Sequence, residues 1–442
     1  MTCEEINITI IGATKGLGLW IAKQLKNENY NVTITSRNKL SGEKIADKIH
    51  VNYSNDNIKS VENADIIIFS VPIEHMVNTI KEVAPYAPEG SLLVDISSVK
   101  MEPSEALKKY APENTEILPC HPMFGPRIPS LDGQTIILTP IDNRCTTYYN
   151  KVNKFLRKHN AKIVVSTPVE HDQIMSVVQG LTHFSYISIA STIEKLGVSI
   201  KKSREFASPV YSLMLDMISR IVSQNPYLYY SIQKNNSLNS ISRKMLIEES
   251  TRLALLVEKN EENEFVHTMR ESAKHLDEFE EALGRSDKAI NVLTHELNIL
   301  KDSIGQEVGL KHQYSKNIHV GIIQDINNKE VILTDLKNQK IKLKISNIEI
   351  LSEDEVFEWK KNNMTLHNFD VSVMFPITSN ENTLLDMFNK IEPVVSVKIK
   401  EVYTGPQVLD NFKSITFHYT TFNKNDNELV INYLQGIGGI IR

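Results

Sequence analysis

Cysteine is scarce in this chain, with Cys3, Cys120 and Cys145 the only three in 442 residues. That is too few for a disulfide framework, and no pair has C-x-x-C spacing. No metal site is expected, and a reducing, intracellular setting follows most simply. Also lacking is any apolar run of roughly 18 residues or more that could span a bilayer. The amino terminus passes from Met1 through the acidic pair Glu4-Glu5 into a strand, without a signal-peptide pattern. A cytoplasmic protein with no membrane association is the expectation. Positive charge is not in excess either: a net charge of −5 argues against a dedicated nucleic-acid binder. Nor is there an internal repeat or a low-complexity linker. What remains is an ordinary globular composition, 41% hydrophobic and 23% charged, in a chain long enough for about three domains.

The first of these reads as a doubly wound α/β domain over residues 1–166. Ile6 to Ile11 is a β-branched run that predicts a buried first strand. Gly12-Ala-Thr-Lys-Gly16-Leu-Gly18 follows and leads into an apolar-periodic helix, Leu19 to Leu25. Strand, glycine-rich turn and helix in that order form a cradle for a pyrophosphate, which meets free helix N–H groups. The spacing departs from G-x-G-x-x-G, since Ala13 and Lys15 stand where glycines are usual; the plainer alternative is a tight strand-to-helix turn. The candidate cofactor residues are Gly12, Thr14, Lys15, Gly16, Leu17 and Gly18, with Ser36, Arg37, Val71 and Pro72 at later strand ends. A second strand, Val32 to Ser36, ends in Ser36-Arg37, where an acidic residue would accept hydrogen bonds from the ribose of NAD. An Arg there suits a 2′-phosphate and leans towards NADP over NAD. Further strands are expected at Asp65 to Val71, Leu92 to Ile96, Gln134 to Leu138 and Lys162 to Val165. Helices are expected from His75 to Val83 and from Thr146 to Arg157.

Within that domain, Pro119-Cys-His-Pro-Met-Phe-Gly-Pro-Arg127 carries three prolines and a glycine. It predicts a stiff, irregular loop that continues as neither helix nor strand. Its one histidine, His121, lies beyond the carboxyl ends of the strands, where open α/β sheets bind ligands. Ser97-Ser98-Val99-Lys100 ends the preceding strand and faces the same crevice. Packed polar loops are the plain alternative for both.

From Thr167 to about 315 the pattern is helical, opening on a capping-box signature, Thr167-Pro168-Val169-Glu170. Gln179 and His183 fall one turn apart on one face, where they line a pocket or simply pack in the core. Lys201-Lys-Ser-Arg204 concentrates positive charge. The number and length of these helices suggest a bundle that pairs two subunits. Residues 316–365 read as a small β-ribbon, with a hairpin at Asn327-Asn328-Lys329-Glu330 and an alternating strand from Lys340 to Ile345. Residues 366–442 run strand, helix, strand, strand, helix, strand. That is the order of a split β-α-β, ferredoxin-like unit.

Taken together, the glycine turn, Asp95-Ile-Ser-Ser-Val-Lys100, His121-Pro-Met-Phe-Gly125 and the helical region resemble the prephenate dehydrogenase family of tyrosine biosynthesis. The resemblance covers about residues 5–285, and the tail is similar to amino-acid-binding ACT modules. It implies an NAD(P)-dependent oxidative decarboxylation of prephenate to 4-hydroxyphenylpyruvate by a homodimer, with tyrosine as a possible effector. It also implies that His121 accepts a hydrogen bond from the substrate's ring hydroxyl, that Ser98 hydrogen-bonds His121, and that Arg204 holds a substrate carboxylate. Gln179, His183 and Lys100 complete the substrate set. Gly180 stands where a polar helical residue would be usual. Three other readings remain: arogenate as substrate, a β-hydroxy acid oxidised with Lys100 as base, or a dinucleotide and amino-acid sensor without turnover.

Overall fold

A computed structural model describes residues 6–276, 278–327 and 329–442. Cys3, the Glu4-Glu5 pair, and Asn328 of the expected hairpin lie outside the described residues. The chain divides into two compact units, Met1–Phe279 and Glu280–Arg442.

The first unit begins with β1 (Asn7–Ile11), α1 (Gly16–Asn27), β2 (Asn31–Thr35), α2 (Lys39–Ile49), β3 (Asn52–Ser54) and α3 (Asn57–Val61). It continues through β4 (Ile66–Phe69), α4 (Ile73–Val83), β5 (Leu92–Asp95), α5 (Met101–Tyr110) and β6 (Glu116–Ile117). These six strands form one parallel sheet in the order β3-β2-β1-β4-β5-β6. Their near-continuous Ile, Val and Leu content fits a sheet covered on both faces. Ile8, Ile10 and Ile34 pack on one side, and Ile11, Ile67 and Phe69 on the other. The order reverses between β1 and β4, which opens a crevice outside the carboxyl ends of those two strands.

Next come β7 (Cys120–Pro122), β8 (Thr135–Leu138), α6 (Thr147–Lys158) and β9 (Lys162–Val165). They form a separate three-stranded sheet, with β7 antiparallel and β9 parallel to the central β8. The expectation that the proline-rich stretch is wholly irregular is therefore corrected at Cys120–Pro122. A proline at the end of a strand removes no essential ladder bond when that strand is an edge, as β7 is. Beyond it the chain is indeed irregular. Trp20 on α1 pins it by donating its indole N–H to Ile128 O at 2.9 Å and by an edge-on contact with Phe124.

The helical part comprises α7 (Pro168–Met175), α8 (Thr182–Lys195), α9 (Ile200–Ser203), α10 (Pro209–Val222), α11 (Pro226–Asn235), α12 (Asn239–Glu258) and α13 (Glu262–His275). Thr167 caps α7 through Glu170 N, but Glu170 turns to Ser166 Oγ at 2.6 Å, so the expected capping box is only half made. Between α7 and α8 the chain adopts one π-helical turn, Ser176–Leu181. Apolar side chains on these helices stay uncovered, among them Val210, Met217, Met245, Ile247 and Met269.

In the second unit, α14 (Phe279–Asp302) leads to β10 (Glu307–His312), β11 (Ile318–Ile326), β12 (Glu330–Asp335), β13 (Lys340–Lys344) and β14 (Ile348–Ile350). Their antiparallel order is β13-β12-β11-β10-β14, around Leu310, Ile323, Leu333 and Ile348. The sheet starts at Glu307, ahead of the boundary at 316 that the sequence pattern suggested. After α15 (Glu353–Asn363) come β15 (His367–Pro376), α16 (Glu381–Phe388), β16 (Val394–Tyr403), β17 (Phe412–Thr421), α17 (Asp426–Gly436) and β18 (Ile440–Ile441). Their sheet order, β16-β17-β15-β18, is that of the split β-α-β unit, with Val373, Phe417, Tyr419 and Val430 in its core. Among the described residues no helix is long and apolar enough to cross a membrane.

Candidate active site

The glycine turn closes tightly on the end of β4. A Cβ on Gly12, whose φ is +87°, would lie 2.7 Å from Ser70 O and 2.8 Å from Val71 Cγ1. A Cβ on Gly18 would lie 2.5 Å from Ser70 Oγ. Gly16 has φ +64° and nothing within 4 Å. Gly16 needs the conformation alone, Gly18 the space alone, and Gly12 both. The first helical residue of α1 is Gly16, and its N-cap, Lys15, makes no side-chain cap. The first N–H groups of α1 therefore remain available to an anion. A cradle that side chains would fill, at the switch point of the sheet, fits a dinucleotide. Gly12, Thr14, Lys15, Gly16 and Leu17 would surround the pyrophosphate, and Val71 and Pro72 border the same turn.

At the end of β2, Ser36 Oγ donates to Asn38 O at 2.9 Å, which turns its hydroxyl into the following loop. Arg37 is exposed and makes no hydrogen bond or ion pair among the described residues. Its fork is free to meet a phosphate.

His121 sits on β7 with 3% of its surface exposed. Alternation along the strand sends Cys120 to the opposite side, into the core under the parallel sheet. Burial pushes the Cys120 thiol up to about 12, so it is no nucleophile. On that opposite side lies an apolar cavity of about 230 Å³, bordered by Ile8, Leu25, Val94 and Phe155. Its lining is mostly apolar, with Glu28, Lys151 and His159 in it but not His121, and it is not the candidate site.

Both ring nitrogens of His121 are engaged. Nδ1 lies 2.8 Å from His171 Nε2, and Nε2 lies 3.4 Å from Gln179 Nε2. His171 in turn meets Asp172 Oδ1 through Nδ1 at 2.7 Å. Burial holds the His121 imidazole well below its usual 6.5, and the charges of His171 and Lys100 act in the same direction. It is thus a neutral base at physiological pH.

The other predicted residues divide. Gln179 reaches His121 from the π-helical turn, a feature frequent at functional sites. Gly180, next to it, allows a close approach: a Cβ there would stand 2.1 Å from Asn239 Oδ1. His183 does not join Gln179. It stacks edge-on against Tyr229, with centroids 4.8 Å apart, and burial lowers its pKa. Ser98 is half-buried and makes no hydrogen bond to His121; the place expected for it is taken by His171. Lys100 is fully buried and ion-paired with Asp95, whose other oxygen accepts Ser97 N–H at 2.8 Å. Its ammonium fastens the β5–α5 turn by this pair and is not free to meet a substrate as the chain stands. Arg204 is exposed and pairs with Asp216 at 2.6 Å, and it shares no hydrogen bond or ion pair with His121, His171 or Asp172. An ion pair one helix on, invisible in the sequence, has taken it.

His171 and Asp172 were missed by the sequence reading, although a His-Asp pair directly after a helix cap at a domain boundary was there to be weighed. Arg220 on α10 was missed too. Among the described residues its guanidinium makes no hydrogen bond or ion pair, and its charge lowers the Tyr229 phenol pKa that burial raises. Beside Tyr229 opens a cavity of about 680 Å³ lined by Phe184, Tyr230, Gln233, Lys234 and Arg243. Gln233 joins it to the π-helical turn by donating to Gly180 O at 2.7 Å.

Two family models match this unit: the prephenate dehydrogenase nucleotide-binding domain over residues 21–165, and the prephenate dehydrogenase dimerization domain over residues 167–271. A probable arogenate/prephenate dehydrogenase of Methanocaldococcus jannaschii is 39% identical over 446 residues, covering 99% of each chain. The T-protein of Haemophilus influenzae is 32% identical over 233 residues, 52% of this chain and 57% of that one. Among solved structures, prephenate dehydrogenase from A. aeolicus, in complex with hydroxyphenyl propionate and NAD+, superposes with a TM-score of 0.51 at 20% identity. It covers 63% of this chain and 99% of that one, and supports the fold. With 39% identity to a relative along its whole length and both domain models matched, this chain belongs to the prephenate dehydrogenase family of NAD(P)-dependent oxidoreductases.

Proposed function

We propose that this protein oxidatively decarboxylates prephenate to 4-hydroxyphenylpyruvate, the step that commits carbon to tyrosine. The carrying observation is a buried, neutral histidine, His121, whose Nε2 faces Gln179. The dinucleotide, when bound, accepts the hydride from the ring carbon that bears the hydroxyl. His121 takes the hydroxyl proton as that bond to hydrogen breaks. Loss of the ring carboxylate as CO2 then returns its electron pair to the ring, and the phenolate recovers the proton from His121. Aromaticity supplies the driving force, so positioning and one proton acceptor are what the protein must add.

Two carboxylates on the substrate call for cationic anchors. Arg220 suits this role better than Arg204, because its guanidinium is unpaired while Arg204 is bound to Asp216. The free Arg37 favours NADP. Uncovered apolar side chains on α10, α12 and α13 favour a homodimer formed through these helices, in keeping with the dimerization-domain match. The sheet built from β15 to β18 is an ACT-like regulatory module, with tyrosine as its effector. Deleting residues 366–442 should then leave turnover intact and abolish inhibition by tyrosine; undiminished inhibition would place the effector elsewhere. The assay for the activity itself follows NAD(P)H formation with purified protein, prephenate or arogenate, and NAD or NADP. Turnover of neither substrate with either cofactor would reject the reading.

A further inference from the structure

We propose that Asp172 and His171 are positioning residues that set the tautomer of His121 and so leave its Nε2 lone pair free to accept the substrate's proton. The inference rests on His121 as the base and adds how that base is held ready.

With His171 neutral, the chain of donors and acceptors has one consistent solution. Asp172 meets three N–H donors: Lys100 N at 2.8 Å and His171 Nδ1 at 2.7 Å on Oδ1, and Met101 N at 2.9 Å on Oδ2. A carboxylate so placed can only accept, so the proton in its bond to His171 sits on Nδ1. In a neutral His171 the other nitrogen, Nε2, is then an acceptor. The 2.8 Å contact between the two rings needs one proton, and it must come from His121 Nδ1. That leaves Nε2 of His121 without hydrogen, its lone pair facing the Gln179 carboxamide across 3.4 Å. Each ring's tautomer is fixed by the bond its other nitrogen makes.

The arrangement is also held rigidly. His121, His171 and Asp172 are 3%, 2% and 2% exposed. The two backbone donors to Asp172 stand at the start of α5, in the nucleotide-binding region, while Asp172 belongs to α7. Asn236 anchors the Asp172 carbonyl by donating Nδ2–H to it at 2.7 Å. When His121 takes the substrate's proton at Nε2, its Nδ1–H still points at His171 Nε2. The new positive charge is then shared towards a carboxylate, and no second imidazolium is created beside it.

Two measurements test this. The first uses the unmodified protein. In ¹⁵N NMR of histidine-labelled enzyme near pH 8, both rings should carry their proton on Nδ1, with resonances assigned by their loss in His121→Asn and His171→Phe. An Nε2–H tautomer at His121 would overturn the inference, whatever the activity proves to be. The second is a double-mutant cycle with prephenate and the better of NAD and NADP. His171→Phe should lower kcat roughly 10–100-fold with little change in KM, and less than threefold when His121 is already Asn. An equal loss in both backgrounds would make His171 merely structural, and no loss in the first would remove it from the mechanism. If His121→Asn is itself fully active, the base assignment fails, and the tautomer spectrum still decides whether the pair is arranged as argued.

Discussion

Replacing Gly12 by Ala is the sharpest probe of the nucleotide cradle, because its neighbour Gly16 is a built-in control. Both have positive φ, +87° and +64°, so both variants carry a conformational cost of about 1–2 kcal/mol. Removing a glycine also restrains the unfolded chain, which offsets about 0.4–1 kcal/mol of that. The difference lies in space. At Gly16 a methyl meets nothing within 4 Å, whereas at Gly12 it meets the Ser70 carbonyl at 2.7 Å and Val71 Cγ1 at 2.8 Å. Backbone cannot swing aside as a flexible side chain can, and overpacking of this kind adds about 1–3 kcal/mol. Gly12→Ala should therefore destabilise by about 2–4 kcal/mol and Gly16→Ala by about 1 kcal/mol or less. For a unit of this size the former lowers Tm by roughly 5–15 °C. Because the clash pushes the turn away from β4, Gly12→Ala should also weaken dinucleotide binding at least tenfold. Thermal melts and fluorescence titration of NAD(P)H read both effects. Variants that agree within about 0.5 kcal/mol would refute the argument that close approach to Ser70 shapes the cradle.

The remaining predictions concern charge. Because burial depresses the His121 pKa below 6.5, kcat/KM should be flat from pH 7 to 8 and fall only on the acid side, below pH 6.5; a limb centred at or above pH 7 would contradict it. The same shift links to stability: the unfolded chain takes up its proton first as pH falls. Stability present above pH 6.5 is therefore lost on acidification, by up to about 1.4 kcal/mol per pH unit, with His183 adding in the same sense. Urea melts at pH 7.5 and 5.5 should show a smaller loss in His121→Asn. Arg37→Ala should weaken NADP much more than NAD in a titration, and equal affinities would mean that the side chain is only solvated. Arg220→Ala should raise KM for prephenate at least tenfold and Arg204→Ala less than threefold; the reverse order in initial-rate kinetics would restore Arg204 as the anchor.

Much of the fold was legible because its signals are local. Each strand of the parallel sheet that was expected is a short β-branched run, and the tail's alternation of strand and helix gave the split β-α-β order. Short elements without such runs, β3 and α3, escaped notice. The proline-rich stretch was read as loop because proline usually excludes a strand, a rule that relaxes at an edge. In the site, loop chemistry points to His121 and helical spacing to Gln179, and the structure brings the two within 3.4 Å. His183, four residues beyond Gln179, packs against Tyr229 after the π-helical turn. Lys100 and Arg204 looked available because sequence shows a charge but not its partner. Asp95 is five residues from Lys100, and Asp216 lies on the next long helix. The contact of His171 with His121 spans 50 residues and two kinds of structure, and no local pattern announces it.

As proposed, His121 is the proton acceptor in a dinucleotide-dependent oxidation of prephenate. The most direct test is rapid-mixing, single-turnover formation of NAD(P)H by the His121→Asn enzyme, saturated with prephenate and cofactor. The rate should fall roughly 10²–10⁴-fold, the usual range for a positioned acid–base group, while dinucleotide affinity and Tm stay near those of the unaltered protein. A rate within threefold of the original, in a folded protein that binds its cofactor, would contradict the account.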